Sequence, residues 1–278
     1  MIRVAVFGAG GRMGATTCAA VTGSGDLELV AAVDPHGAGR PLAEVAAAGG
    51  ASVSGRAALI EVAGHPDEIA GAGADVAVDF TVATAARANL RWCAEHSVHA
   101  VCGTTGLAAA DLAELEELFA GSGANCVVAA NFSVGATLMI RCAELCAPYL
   151  DGVEIVELHH DRKRDAPSGT SLETARRIEA ARAASGAAAW REEPTETAVL
   201  AGTRGGTTAG GVQIHSVRLP GLVAHQEVIF GSLGETLTLR HDSTDRSSFM
   251  PGVLLAVRRV AGMPGVTVGL EPLLGLTT

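Results

Sequence analysis

The sequence is poor in lysine, in aromatic rings and in long apolar runs. Its basic residues comprise one lysine, Lys163, and 19 arginines. A coding bias toward Ala and Gly explains the scarcity of lysine, but not the place of the one that remains. Aromatic residues make up 3% of the 278 residues, which argues against the ring platforms on which single-stranded nucleic acids stack. Charged residues are 18% and apolar residues 48%, which excludes wholesale disorder and suffices for the core of one or two domains. A net charge of -10 argues against a nucleic-acid or membrane-surface partner. No run of about 18 apolar residues occurs, so no membrane span is expected. The opening, Met1 to Gly8, runs straight into strand-like sequence without a secretory signal pattern. The six cysteines (Cys18, Cys93, Cys102, Cys126, Cys142, Cys146) read as small buried hydrophobes of a reducing compartment. Cys142 and Cys146 share a helix face, but no nearby His or Cys completes a metal site, and no metal is expected.

What is present is an alternation of strands and helices. Strands are expected at 2–7, 27–33, 75–80, 98–102 and 125–130, with helices at 12–22, 83–96, 108–120 and 134–147. That spacing predicts a parallel sheet with right-handed crossovers. Residues 35–73 are weakly patterned and are expected to hold short elements on the sheet's flank. After about residue 150 the pattern changes. A strand at 153–160 and a helix at 169–184 precede a Gly/Thr/Ala-rich stretch, 185–211, expected as a long loop. Three alternating strands with short turns, 212–219, 223–231 and 235–241, then predict an antiparallel sheet in a second, α+β domain. A helix at 249–260 and a strand at 266–270 are expected in the tail.

Two segments carry chemistry. Gly8-Ala9-Gly10-Gly11-Arg12-Met13-Gly14 ends the first strand and opens a helix. Glycines there permit a tight turn and close approach of backbone to a pyrophosphate, which the helix N-terminus attracts. Asp34 ends the second strand, where a carboxylate can accept hydrogen bonds from both adenosine ribose hydroxyls and repel a 2′-phosphate. A plain turn residue before Pro35 is the alternative. Arg12, His36 and Arg40 lie near enough in sequence to compensate a phosphate.

The second segment, Glu157 to Thr170, is the densest polar stretch. It follows a strand and turns into a helix that Ser168 or Thr170 can cap, with Thr170 and Glu173 at capping-box spacing. Free N–H groups at Gly169 and Thr170, Lys163 and two histidines make a carboxylate receptor. His159 and His160 point to opposite faces if both lie at the strand end, so their roles differ. A solvated charged turn is the bland alternative. The one lysine of the chain standing in this segment favours function.

These motifs resemble those of the 4-hydroxy-tetrahydrodipicolinate (dihydrodipicolinate) reductase family over nearly the whole chain. The likeness rests on Gly8 to Gly14, Gly103-Thr104-Thr105-Gly106, Ala130-Asn131-Phe132-Ser133, Glu157-Leu158-His159-His160, Arg240-His241-Asp242 and, most specifically, Lys163-x-Asp165-Ala166-Pro167-Ser168-Gly169-Thr170. The resemblance implies a Rossmann-like dinucleotide-binding domain, 1–131 with 241–278, and an inserted α+β substrate and oligomerisation domain, 132–240, with a mostly antiparallel sheet. It implies NADH or NADPH held by Gly8, Ala9, Gly10, Gly11, Arg12, Met13 and Asp34, with Gly103, Thr104, Thr105, Ala129, Ala130, Asn131 and Phe132 lining the nicotinamide half. His159 would give or take a proton and Lys163 would be the general acid. Thr105, His160, Lys163, Ser168, Gly169 and Thr170 would hold a cyclic dicarboxylate. A homotetramer working in diaminopimelate and lysine biosynthesis also follows from it, and the cytoplasm is the expected compartment. The two-domain layout adds the expectation of hinge closure, with hinges near Phe132-Ser133 and Arg240.

One departure matters: Pro35 stands where relatives that use NADPH readily often carry Arg. NADH is therefore expected to serve at least as well as NADPH. Another Rossmann dehydrogenase, acting on homoserine or diaminopimelate, would share the first 130 residues without needing Lys163 to Thr170. A cofactor-sensing module without catalysis would not need the polar cluster intact, as it is here.

Overall fold

The computed structural model describes residues 1–191 and 193–276. The expected 185–211 loop and the end of the expected 241–278 segment each include residues outside that set. The chain forms two compact units, Met1–Val134 with Arg246–Thr278, and Gly135–Asp245.

In the first unit the chain lays down β1 (Ile2–Phe7), α1 (Arg12–Thr22), β2 (Leu27–Val33), α2 (Leu42–Ala48), β3 (Val76–Asp79), α3 (Ala83–Glu95), β4 (His99–Cys102), α4 (Ala109–Ala120) and β5 (Cys126–Val128). Helix α5 (Val134–Cys146) leads into the second unit, with β6 (Gly152–His159), α6 (Gly169–Ala184), β7 (Gly206–Thr207), β8 (Gln213–Arg218), β9 (Ala224–Ser232) and β10 (Glu235–Ser243). The tail returns to the first unit as α7 (Met250–Arg259), β11 (Val266–Val268) and α8 (Glu271–Leu274). The expected 249–260 helix divides into a 3₁₀ turn, Arg246–Phe249, and α7, and α8 was not expected.

The first sheet has the order β11-β5-β4-β3-β1-β2, and every pair is parallel. Its strands are apolar almost throughout because helices cover both faces. Val4 and Val6 of β1 belong to a core with Cys18 and Val21 of α1 and Val253 and Ala256 of α7. Ala5 and Phe7 join Leu90 and Trp92 of α3 and Leu115 and Phe119 of α4 in a second core. Strand order reverses at β1, between β3 and β2, so the loops leaving the carboxyl ends of neighbouring strands part there and open a crevice. Residues 35–73 hold α2 and two 3₁₀ helices, Gly55–Leu59 and Pro66–Ala72.

The second sheet corrects one expectation. Its order is β10-β9-β6-β8-β7. Strands β10 and β9, β9 and β6, and β7 and β8 pair antiparallel, but β6 and β8 run parallel, with β6 inserted between β8 and β9. The expected run of three consecutive antiparallel neighbours does not form. The physical reason is the crossover: the chain leaves β6, passes through α6 and returns beside it in the same direction, as a parallel pair requires. From β8 it then crosses over the end of β6, where the Leu219 N–H donates to the His159 carbonyl at 3.1 Å. A short turn in sequence conceals that crossing.

Val153 and Ile155 of β6 pack with Ile140, Ala143, Ala175 and Ile178 of α5 and α6. Strand periodicity places Glu157 and His159 next on the same face, so the covered core gives way to a polar layer at the strand's end. The described residues of the 185–211 stretch form more than a bare loop. They include β7, and the Arg182 guanidinium lies 3.6 Å over the Trp190 ring. Arg204 bridges Glu154 and Glu193. Cys18, Cys93, Cys102 and Cys126 are buried, but Cys142 is exposed and Cys146 half-buried, unlike the expectation for all six.

Candidate active site

The glycine turn after β1 is specified by backbone geometry. Gly8 has φ +77°, the left-handed region that favours glycine. A Cβ on Gly14 would stand 1.9 Å from the Gly8 carbonyl oxygen, so α1 approaches the strand more closely than any side chain allows. Gly11 caps α1 without a side-chain hydrogen bond, and the first turn carries no acidic residue. Its N–H groups and dipole end thus face outward with no built-in anion. Arg12 is exposed, Met13 half-buried and Ala9 buried.

Asp34 is buried at the end of β2 and gives one oxygen to each flanking turn. Oδ2 accepts from the Gly10 N–H at 2.8 Å and Oδ1 from the His36 N–H at 2.9 Å. Each carboxylate oxygen accepts more than one hydrogen bond, so capacity for a diol remains.

The other expected cofactor residues gather at the carboxyl ends of β4 and β5. A Cβ on Gly103 would lie 2.0 Å from the Phe80 ring, which in turn makes an edge contact with Phe132 at 6.0 Å between centroids. Asn131 Oδ1 accepts from the Ser133 N–H at 2.8 Å and fixes that turn. Thr104 is buried, whereas Thr105 and Ala130 are exposed and Ala129 is buried. Beneath them lies a group that sequence reasoning missed. Asp79, 1% exposed, accepts from Thr104 Oγ1 at 2.7 Å, from Thr81 Oγ1 at 2.7 Å and from Asn89 Nδ2 at 2.7 Å, tying the tops of β3 and β4 to α3. An acidic residue ending a strand was its only signal.

In the second unit the cluster centres on Glu157, which is 0% exposed. Arg218 of β8 forks onto it, Nη2 to Oε1 at 2.7 Å and Nη1 to Oε2 at 2.8 Å. His159 Nδ1 lies 2.5 Å from Oε2. Burial pushes the Glu157 carboxyl up, but hydrogen bonds from Arg218, Ser216 and His159 outweigh it and hold the group below the usual glutamate value. For His159, burial lowers the pKa; Glu157 opposes this, Lys163 and Arg218 add to it, and the net shift is downward.

Lys163 Nζ is paired with Asp165, at 2.7 Å from Oδ2 and 2.9 Å from Oδ1. Asp165 lies below the ordinary aspartate value chiefly through that hydrogen bond. His160 leaves the strand beside them, its Nδ1 buried with no hydrogen-bond partner among the described residues. Ser168 caps α6, accepting from the Ser171 N–H at 3.2 Å. Ser171 bonds onward to Gln226 and Gln226 to Thr174, completing a buried polar layer. The Thr170–Glu173 capping box does not form, because Ser168 already holds the cap and Glu173 pairs with Arg176 at 2.7 Å. Gly169 is exposed and Thr170 half-buried in the first turn of α6.

The structure thus brings His159, His160, Lys163, Ser168, Gly169 and Thr170 to one end of the second unit. Thr105 belongs to the first. Sequence reasoning did not single out Arg218. Glu157 could have been found from its i, i+2 relation to His159 on a strand, but Arg218 has no local signal.

Comparisons with known proteins agree over the whole chain. The model described as dihydrodipicolinate reductase, N-terminus, matches residues 2–132, and its C-terminal counterpart matches residues 135–274. A 4-hydroxy-tetrahydrodipicolinate reductase from Cutibacterium acnes is 48% identical over 278 residues, covering 99% of this chain and 100% of the relative. One from Nocardia farcinica is 46% identical over 276 residues, covering 99% of each. The solved structure of a dipicolinate-bound dihydrodipicolinate reductase from Paenisporosarcina sp. TG-14 aligns with a TM-score of 0.83 at 36% identity, covering 98% of this chain and 99% of that one. The chain therefore belongs to the dihydrodipicolinate reductase family, NAD(P)H-dependent oxidoreductases that reduce 4-hydroxy-tetrahydrodipicolinate in the diaminopimelate route to lysine.

Proposed function

We propose the following division of labour for this reduction. The first unit holds NADH or NADPH through the Gly8–Met13 turn, with Asp34 reading the adenosine ribose and Gly103, Thr104, Thr105 and Ala129 to Phe132 lining the nicotinamide half. The glycine contacts and the uncapped start of α1 support this. When bound, the cofactor supplies the hydride. The second unit holds the cyclic dicarboxylate through His160, Lys163, Ser168, Gly169 and Thr170, with Thr105 contributing from the first. The substrate loses water, and gains a hydride at a ring carbon and a proton. Lys163 is the general acid that meets charge developing on the ring-nitrogen side, and His159 gives or takes the proton. The observation that carries this reading is that the only lysine of the chain lies near enough to His159 to help lower its pKa, on the segment that leads from β6 into α6.

Asp34 with Pro35 after it favours NADH at least as much as NADPH. The sheet face opposite α6 carries Val156, Leu158, Val217 and Ile229 among charges paired with one another, such as Arg240 with Glu227 and His225 with Asp242. That face supports a homotetramer built on the second unit. We place the enzyme in the cytoplasm, where its four buried thiols stay reduced; among the described residues, no helix is long and apolar enough to cross a membrane.

The test couples a dihydrodipicolinate synthase to this protein and follows oxidation of NADH and of NADPH. Turnover with both, and kcat/KM for NADH at least equal to that for NADPH, is expected. No turnover would sink the reading, and an NADPH preference of about tenfold, roughly 1.4 kcal/mol, would sink its cofactor part.

A further inference from the structure

We propose that Glu157 and Arg218 are positioning residues that orient His159 and fasten it to the Lys163 segment, so that the two reacting side chains act as one unit. This rests on the reading above, in which His159 and Lys163 act on the substrate.

The geometry supplies both links. Glu157 is fully buried at the point where the apolar face of β6 ends, and its Oε2 accepts from both Arg218 Nη1 and His159 Nδ1. A buried carboxylate at Nδ1 fixes the ring tautomer: Nδ1 bears the hydrogen of the neutral ring, and Nε2 is left to exchange a proton. Arg218 acts on the same ring through Glu157, since its fork keeps the buried carboxyl ionised. The other link leaves the strand. Arg218 Nη2 also donates to the Asp165 carbonyl at 2.7 Å, and the Asp165 side chain carries Lys163. One guanidinium therefore spans β6, β8 and the segment that presents the lysine. An ion pair with a purely structural role would not need its cation to reach the Asp165 backbone, nor its anion to engage the His159 ring.

The charged groups around His159 are Glu157 on its own strand, Lys163 and Asp165 on the following segment, and Arg218 on β8. On β9 the residue opposite Glu157 is the neutral Gln226, and beyond it on β10 stands His241. His241 is a second imidazole on that face, so the test must assign any pH effect to its owner.

The experiment compares Glu157→Gln, Arg218→Lys, His159→Gln and the double variant Glu157→Gln/His159→Gln in the full chain. It reads kcat, KM for the dicarboxylate, NADH affinity and the pH profile of kcat/KM. Glu157→Gln is expected to lower kcat by about 10- to 100-fold, the scale of losing a charged hydrogen bond in a buried site. NADH affinity stays unchanged. With the carboxylate gone, the His159 ring releases its proton at lower pH, so the limb on which activity falls as pH rises moves to lower pH. That limb is absent in His159→Gln, which excludes His241 and Lys163 as its source. The double variant is no slower than His159→Gln alone, because Glu157 acts through the ring. Arg218→Lys keeps a cation but loses the fork that orients Glu157 and reaches the Asp165 carbonyl, and is expected to lower kcat less than Glu157→Gln does while raising the dicarboxylate KM.

A wild-type kcat and an unmoved limb in Glu157→Gln, beside a slow His159→Gln, would overturn the relay and leave the roles of His159 and Lys163 standing. Near-wild-type turnover in His159→Gln would instead overturn the reading beneath it. If Glu157→Gln does not fold, Arg218→Lys decides: an unchanged kcat and an unchanged dicarboxylate KM there overturn the proposal.

Discussion

The Gly8–Gly14 turn and the His159–Thr170 segment both end a strand and open a helix, yet they are made differently. The first is backbone: a positive φ at Gly8, a Gly14 contact that leaves no room for a methyl, and N–H groups at the start of α1. The second is side chain: a buried carboxylate, a forked arginine, an imidazole and a lysine already held by Asp165. A backbone site is specified within a few residues and fails sterically, because any added atom meets a neighbour. A side-chain site is sterically tolerant but depends on partners brought from elsewhere in the chain. In the first unit charge is supplied by dipoles, and in the second by ions that must be kept ionised in a buried place.

Three substitutions sharpen this contrast. The largest effect is expected for Lys163→Ala, a fall in kcat of about 10²–10⁴-fold, the span typical for a lost general acid. The dicarboxylate KM rises with it, while NADH affinity, measured by fluorescence titration, does not change. Weakened NADH binding in that variant would break the division between the two sites. Next is Gly14→Ala, where overpacking against the Gly8 carbonyl costs about 1–3 kcal/mol, or roughly 5- to 150-fold in NADH affinity. Binding of pyridine-2,6-dicarboxylate, read by calorimetry, stays at the wild-type level. A normal NADH affinity would show that the turn is looser than its contacts indicate. The smallest effect is expected for Asp165→Asn. Asp165 is exposed, and freeing Lys163 from it raises the dicarboxylate KM about two- to fivefold, the range of a surface ion pair. A lowered KM would mean that Asp165 competes with the substrate for the lysine rather than aiming it.

The same contrast explains what could be read in the sequence. The parallel sheet, the glycine turn and Asp34 were legible because each depends on local pattern: apolar runs of strand length, glycines at a strand end, an acid closing the next strand. The polar segment was legible as a list of groups, since Lys163 stands out against 19 arginines. Its wiring was not. The helix cap stays open between Ser168 and Thr170 in the sequence, because the Thr170–Glu173 spacing and a Ser168 cap are equally compatible with it, and the buried Ser168–Ser171–Gln226 chain decides for Ser168. The parallel pairing of β6 with β8 was missed because a short turn after Arg218 looks like a hairpin, whatever strand lies beneath it. Asp79 escaped notice because its donors come from the loop after β4, from α3 and from its own turn.

The insertion of β6 between β8 and β9 bears on how the molecule comes into being. Glu157 and Arg218 are 61 positions apart, and their contact closes the crossover through α6. Closing a loop of that size costs roughly 3–4 kcal/mol of chain entropy beyond the constant part, spent before the pair returns anything. The glycine turn, by contrast, is shaped as soon as β1 and α1 meet. During synthesis the ribosome has to release Arg218 before Glu157 gains its guanidinium fork, so the carboxylate stays in water until the crossover closes. The chemistry of the second unit is thus among the last things this chain acquires, and its appearance reports that the topology has closed correctly.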